Sequence, residues 1–311
     1  MARKLALVVN PCAGQRKATK NLAEIIRMFS DYGWETTVYI TGGKDDALEW
    51  VSERAEDFER IVCAGGDGTL NEVFSGMLMS GCSRPIGYLS AGTTNDYAGT
   101  LGLSHDTVTA AHDVMVGVER AMDVGCLNGK YFAYTASFGA FTRTAYSTPQ
   151  TVKNTLGHMA YVLEGIRDIP QIRSIHMRVE TEDREIEDDF LFGAVNNSTS
   201  VGGILRLNAD MVGMDDGYFE VLLVKYPQSL EQLSRIVLAV GRSDFNSDMF
   251  YFFKASKLHI TSPEEVSWTR DGEYAPATAD VRIEILHRAV RFIAPRTPHN
   301  EDEDEDGDDA K

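Results

Sequence analysis

Gly65-Gly66-Asp67-Gly68-Thr69-Leu70-Asn71-Glu72 constrains this chain more than any other stretch, because of what flanks it. Ile61-Val62-Cys63-Ala64, just before it, is a short apolar run of the kind that forms a buried strand. Val73, Phe74, Met77 and Leu78, just after it, are spaced for one face of a helix. A strand, a glycine turn and a helix start together aim backbone N–H groups and the positive end of a helix dipole at an anion. Gly65, Gly66 and Gly68 let the main chain approach phosphate oxygens that a Cβ would hold off. Asp67 adds a negative charge to that turn, which fits either a magnesium ion or a hydroxyl to be activated. The plainer reading of the same residues is a tight strand-to-helix turn capped by Thr69.

Over residues 1–126 short β-rich runs alternate with helical patterns. Leu5–Asn10, Thr36–Thr41, Ile61–Ala64 and Ile86–Leu89 read as strands. Leu22, Ile25, Ile26 and Phe29 mark one intervening helix, and Ala47, Leu48, Val51 and Ala55 another. This alternation predicts a parallel sheet covered on both faces. The texture then changes. Asn128-Gly129 between Met122–Cys126 and Tyr131–Ser137 predicts a hairpin. Leu156–Ile169 reads as a helix, among strands read at Ile175–Glu180, Phe190–Asn196, Tyr218–Lys225, Lys257–Thr261 and Val281–Leu286. That second half is an antiparallel β-rich domain.

Ligands of open α/β sheets bind beyond the carboxyl ends of the strands. Asn10–Gly14, Thr41–Gly43, Gly65–Thr69 and Ala91–Asp96 each follow a strand end, so all four are expected in one crevice. No GxxxxGK[ST] occurs, so a P-loop lysine is missing. Arg16 and Lys17 are the nearest basic candidates for the phosphates, though one turn of exposed basic helix accounts for them equally well.

Composition excludes several classes. The formal charge of −17 argues against nonspecific nucleic-acid binding. Glu301–Asp309 holds eight of the carboxylates, a block expected to be disordered. No apolar run approaches the ~18 residues of a membrane span. Asn10-Pro11 stops the first apolar run too early for a signal peptide. Cys12, Cys63, Cys82 and Cys126 lack metal-site spacing, so free thiols in a reducing cytoplasm are expected.

Taken together, these segments resemble the diacylglycerol kinase catalytic family, which includes bacterial lipid kinases and sphingosine kinases and is more distantly related to NAD kinases. The resemblance continues through Gly92-Thr93-Thr94-Asn95-Asp96, Ser137-Phe138-Gly139, Leu156-Gly157-His158-Met159-Ala160-Tyr161, Asn208-Ala209-Asp210, Asp215-Asp216-Gly217 and Asp271-Gly272-Glu273. It implies a Rossmann-like α/β nucleotide domain of the NAD kinase and phosphofructokinase type, followed by a β-sandwich domain, with the active site in the cleft. The expected boundaries are 1–126 with a strand returning at about 288–296, 127–287, and the tail 297–311.

By position, the resemblance gives ATP the residues Asn10, Pro11, Cys12, Ala13 and Gly14, Thr41, the turn Gly65, Gly66, Asp67, Gly68, Thr69, Leu70, Asn71 and Glu72, and Thr93. It makes Glu273 the base that takes the proton of a lipid hydroxyl. Asp271 would bind Mg²⁺ or position its loop, and Asp67 would act with the nucleotide-bound Mg²⁺. A second, structural Mg²⁺ is implied at Asp216 with backbone oxygens of Gly213 and Tyr218; the competing view is an ordinary turn. Gly99 stands where many relatives carry an arginine, and Ser90-Ala91 where Pro-Gly or Pro-Leu is commoner. The aromatic run Met249–Phe253 and the helix Leu156–Ile169 line either an acyl channel or plain core.

The expectation is therefore a cytoplasmic, ATP- and Mg²⁺-dependent kinase, phosphorylating a lipid hydroxyl, foremost diacylglycerol, at the membrane's inner face. It carries no transmembrane segment and binds no nucleic acid; a homodimer stays open. The rivals are an NAD kinase, which shares the GGDGT turn, and a non-catalytic lipid- or nucleotide-binding homologue. Asp271-Gly272-Glu273 and the Leu-Gly-x-x-Ala-Tyr helix favour the lipid branch.

Overall fold

The computed structural model describes residues 3–14, 17–92, 95–139, 173–201, 205–207 and 211–299. Thr93, the Leu156–Ile169 helix, Asn208–Asp210, Arg16 and the acidic tail lie outside the described residues.

The N-terminal half holds β1 (Arg3–Val9), α1 (Lys17–Lys20), α2 (Leu22–Asp31), β2 (Trp34–Ile40), α3 (Asp46–Arg54), β3 (Arg60–Gly65), α4 (Asp67–Ser80), β4 (Pro85–Ser90), α5 (Asp96–Leu101) and α6 (Thr107–Val116). Strands β2, β1, β3 and β4 lie side by side, all parallel. Their period of two sorts the core. Leu5, Leu7 and Val9 pack with Ile25 and Phe29 of α2 and Ala111 and Val114 of α6. Ala6 and Val8 face the other way, onto Val51 of α3 and Val73, Phe74 and Met77 of α4. Both faces are covered, which is why these strands read as near-continuous apolar runs.

The second half begins with β5 (Val118–Leu127) and β6 (Lys130–Phe132), joined at Asn128 and Gly129, whose φ angles are 47° and 77°. These are the paired left-handed residues of a two-residue hairpin turn. Then follow β7 (Thr135–Gly139), β8 (Ile175–Glu180), β9 (Glu185–Asn196), the short pair β10 (Ser200–Val201) and β11 (Leu205–Arg206), β12 (Phe219–Lys225), α7 (Leu230–Arg242), β13 (Phe250–Ala255), β14 (Lys257–Arg270) and β15 (Glu273–Ala294). Strands β9 and β14 are each shared: one half pairs with β7 and the other with β8, so the sheet folds over on itself. Phe138, Phe190, Phe219 and Trp268 fill the space enclosed.

Several expected strands were only fragments of what forms. Lys257–Thr261 is the start of the 14-residue β14, and Val281–Leu286 the middle of the 22-residue β15. Helices α6 and α7 carried no expectation. The aromatic run falls on β13, whose alternation places Phe250 in the cluster with Leu222, Ile236 and Phe245 and Phe253 in the one with Phe190 and Val221. Both faces of the run thus pack into apolar clusters.

Strand β15 links the two halves. It is antiparallel to β14 from Glu273 to Glu284, then to β5 from Ile283 to Ala294. Near its end Arg291 and Phe292 run parallel to Pro85 and Ile86 of β4.

Candidate active site

The carboxyl ends of β1 to β4 open on one crevice, and backbone hydrogen bonds hold their loops in register. Asn10 N donates to Ala64 O, Thr41 N to Val9 O and Ala91 N to Gly65 O. Asn10 then fixes its own loop: its Oδ1 accepts from Cys12 N at 3.0 Å, and its Nδ2 donates to Thr69 Oγ1 at 3.0 Å. Pro11, Ala13 and Gly14 complete that loop, with Gly14 lying against Ala91. Cys12 is exposed and, like the other three cysteines, a free thiol.

Helix α4 begins at the glycine turn, so its first N–H groups have no acceptor within the helix. The backbone of Gly66 has an ordinary φ of −93°; what excludes a side chain there is a Cβ placed 3.2 Å from the Cα of Gly92. The two glycine loops are pressed together backbone to backbone. Gly92 is locked in turn by Asn95, whose Oδ1 accepts from Gly92 N and whose Nδ2 donates to Gly92 O.

Asp67 sits half-buried in this turn. Its Oδ2 accepts from Asp96 N at 3.0 Å, and Tyr88 OH points at its Oδ1 from 3.4 Å. Burial, and next the Asp96 carboxylate, push its carboxyl up to about 7, while backbone donors pull against them. The hydrogen-bond partners are neutral and the Asp96 carboxylate adds negative charge, so a cation would relieve the site. Asp67 and Asp96 offer the hard oxygen donors magnesium prefers. A nucleotide-bound Mg²⁺ therefore fits here.

Leu70 and Asn71 follow on α4, and they face different tasks. Leu70 is core, whereas Asn71 Nδ2 donates to Asp271 Oδ2 at 2.5 Å. The Asp271 carboxylate, almost wholly buried, also accepts from Ala133 N (2.6 Å), Tyr134 N (2.9 Å) and Thr135 N (3.1 Å). Burial raises its carboxyl and these donors lower it. With its oxygens committed to N–H groups, Asp271 positions the turn and has no oxygen left for a metal ion. The backbone bends sharply there, with φ of 46° at Asp271 and 80° at Gly272.

That bend presents Glu273 to the crevice, exposed and facing α4. Its Oε1 is the atom a side chain at Gly68 would meet, at 3.2 Å. Its Oε2 lies 3.2 Å from Lys44 Nζ. Lys44 carried no expectation from sequence. It belongs to the loop after β2, and Glu72 of α4 ties that loop down by accepting from Asp45 N and Ala47 N. Positive φ at Asp45, Asn95 and Asp271 marks the strained bends around this crevice, where such residues often serve function.

The structure also gathers Gly213, Asp216 and Tyr218 into one turn. Asp216 Oδ1 accepts from Tyr218 N, and Gly213 backs directly onto the carboxylate. Oδ2, however, pairs with Lys254 Nζ at 2.7 Å, and the same ammonium lies 3.1 Å from Oε1 of buried Glu220. One lysine thus pairs with both carboxylates, and it already occupies the Asp216 oxygen that a divalent ion would need. Among the described residues no cluster of three or more metal-ligating side chains occurs. Asp123, which carried no expectation, seals this turn to β15 by accepting from Gly217 N and Arg288 N.

The crevice has counterparts in known proteins. Residues 4–127 match the model of the diacylglycerol kinase catalytic domain, and residues 136–294 that of the YegS C-terminal NAD kinase beta sandwich-like domain. The diacylglycerol kinase of Bacillus subtilis (strain 168) is 29% identical over 296 residues, spanning 94% of this chain and 97% of the relative. That of Staphylococcus carnosus (strain TM300) is 30% identical over 276 residues, 88% and 90% of the two chains. A crystal structure of a diacylglycerol kinase from Bacillus anthracis str. Sterne has the same fold, with a TM-score of 0.75 at 22% identity over 96% of this chain and 98% of that one. Because both halves are matched and the relatives align from end to end, the chain is a member of the diacylglycerol kinase family, kinases that transfer phosphate to an alcohol.

Proposed function

We propose that this protein is an ATP- and Mg²⁺-dependent lipid kinase that phosphorylates the free hydroxyl of diacylglycerol to give phosphatidic acid. The observation that carries this reading is the placement of Glu273, an exposed carboxylate facing Gly68 in the first turn of α4. A proton acceptor at the phosphate turn, open to the outside, suits an acceptor hydroxyl that arrives from a membrane. Tyr274 beside it is 62% exposed and offers an amphipathic ring at the mouth of the crevice.

In this reading the nucleotide lies over the β1–β4 loops. Asn10, Thr41 and Thr69 supply neutral hydrogen bonds, and the backbone of Gly66 and Gly68 meets the phosphates. Thr93 would close the pocket. Asp67, with Asp96 behind it, would hold the Mg²⁺, which neutralises charge on the phosphates when bound. Glu273 accepts the proton of the hydroxyl as its oxygen attacks the terminal phosphorus. Asp271 holds the Asp271-Gly272-Glu273 bend in place. Phosphoryl transfer of this kind rests mainly on alignment and charge neutralisation.

No helix among the described residues is long and apolar enough to cross a membrane. The reading places the enzyme in the cytoplasm, meeting its lipid transiently at the inner face. The N-terminal α/β half, completed by β15, would be the nucleotide domain, and the β-rich half would shape the acceptor side.

The test is transfer of label from ATP to a panel of diacylglycerol, ceramide, sphingosine, polyprenol and NAD. Labelled phosphatidic acid is expected. Label in NAD alone would replace this reading with an NAD kinase, and no transfer to any acceptor would leave a binding protein.

A further inference from the structure

Lys44 has no role in the reading above, yet among the described residues it is the cation paired with the proposed base. Its loop is held at several points. Asp46 accepts from Gly42 N at 2.5 Å and from Tyr39 OH at 2.5 Å, and Glu72 secures Asp45 and Ala47 just beyond. Because Glu72 projects from α4, the Lys44 loop and the phosphate turn hang from the same rigid element. The chain then turns sharply at Asp45, where φ is 64°.

Lys44 Nζ reaches Glu273, and Glu273 faces Gly68. Arg270, opposite Glu273 in the β14–β15 register, brings a second cation whose charge opposes that of Lys44. A second positive charge is thus felt at the Lys44 ammonium, which favours an incoming anion there. The pair with Glu273 is 69% exposed on the lysine side and 50% on the glutamate side. Exposed pairs of this kind contribute little and exchange partners readily. The chain lacks a P-loop lysine, and α5 carries no lysine or arginine. Positive charge for the terminal phosphate must come from another element.

We infer that Lys44 binds the terminal phosphate of the nucleoside triphosphate, leaving Glu273 as it does so and freeing that carboxylate to act as base. The inference rests on the kinase reading. In the step it serves, the acceptor oxygen forms a bond to the terminal phosphorus. The bond from that phosphorus to the bridging oxygen breaks, and ADP leaves with the electron pair. The hydroxyl proton passes to Glu273. Until the triphosphate arrives, Lys44 keeps the base paired.

The test compares the parent with Lys44→Met and Lys44→Arg, measuring Mg-ATP and Mg-ADP binding by calorimetry and lipid phosphorylation at steady state. Loss of one charge-assisted hydrogen bond should weaken ATP binding and raise its KM by about tenfold or more. ADP should bind as before, because it lacks the phosphate in question. Lys44→Arg should recover most of the ATP affinity. Unchanged ATP binding in Lys44→Met, or equal weakening of ATP and ADP, overturns the inference while leaving the kinase reading intact. A parent that binds no ATP and transfers no phosphate fails the kinase reading itself, and this inference with it. Lys44 lies on an exposed loop, so the melting temperature should stay within a degree or so of the parent's, about the scale of a neutral surface change.

Discussion

Two acidic centres in this molecule are equally buried in effect and differently partnered. Asp67 in the crevice and Glu220 beneath the Asp216 turn are each pushed up to about 7, with burial as the first cause. Around Asp67 the partners are backbone N–H groups and a tyrosine hydroxyl. Around Glu220 the partner is an ammonium, Lys254, which also holds Asp216. Burial alone therefore does not separate a ligand site from a structural one. What separates them is whether the chain supplies the counter-charge itself. At Asp67 it does not; at the Asp216 turn Lys254 provides it.

The sharpest break of this comparison is Asp67→Asn. With the charge removed, nucleotide binding should largely survive, while lipid phosphorylation should fall about 10²–10³-fold, the range for removing one electrostatic stabiliser from a transition state. Near-normal turnover would reduce Asp67 to a turn residue and make the two centres alike.

Glu273→Gln comes next, with an expected fall of about 10²-fold in kcat at unchanged ATP affinity, the low end for a general base because a loose transition state needs little early deprotonation. Asp271→Asn should behave differently. It puts an NH₂ group among N–H donors, so thermal unfolding should register a loss of about 3 kcal/mol before any kinetic effect is considered. A stable Asp271→Asn protein that is inactive, beside a Glu273→Gln protein that works normally, would exchange the two roles.

The pH dependence of stability sharpens the comparison further. The folded protein holds protons on Asp67 and Glu220 that the unfolded chain releases nearer 3.8 and 4.5. The stability this confers is complete below those values and is lost as pH rises to about 7. Denaturant unfolding of the nucleotide-free protein should show that decline. Asp67→Asn and Glu220→Gln should each flatten it, and Mg-ATP should remove only the Asp67 share. Equal slopes in parent and variants would mean that neither group titrates in this window.

The smallest effect is expected from Mg²⁺ in the absence of nucleotide. Because Lys254 already pairs with both Asp216 and Glu220, the melting temperature should be the same in EDTA and in Mg²⁺. Lys254→Met should lower it, and adding Glu220→Gln should restore much of the loss. A Mg²⁺-dependent rise seen in the parent but not in Asp216→Asn would instead make the turn a metal site.

Local pattern made the parallel sheet legible, since Leu5–Val9 and Ile61–Ala64 are buried on both faces and read as apolar runs. The glycine turn was legible for the same reason: strand, glycines and helix are adjacent in sequence. Lys44 was not, because nothing near it in sequence names its partner on β15. Nor was the task of Asp271, whose partner Asn71 lies 200 positions away. The full reach of β9, β14 and β15 was hidden because these strands change partners along their length, and polar residues appear wherever one face meets solvent. Asp123 was hidden too: its oxygens are used only after the 213–218 turn and Arg288 have been folded onto it.

Strand β15 carries a consequence for how the molecule is made. Strand β4 finishes early in synthesis, but its outer neighbour is the last strand among the described residues. Until about 200 further residues have been synthesised, β4 is an open, apolar edge, the kind that recruits other chains. Strand β5 waits for the same partner. A fragment ending near residue 126 would keep that edge permanently and should be prone to aggregate, however complete its nucleotide loops. At Phe292 the same strand pairs with β4 on one side and β5 on the other, so both edges are covered at once.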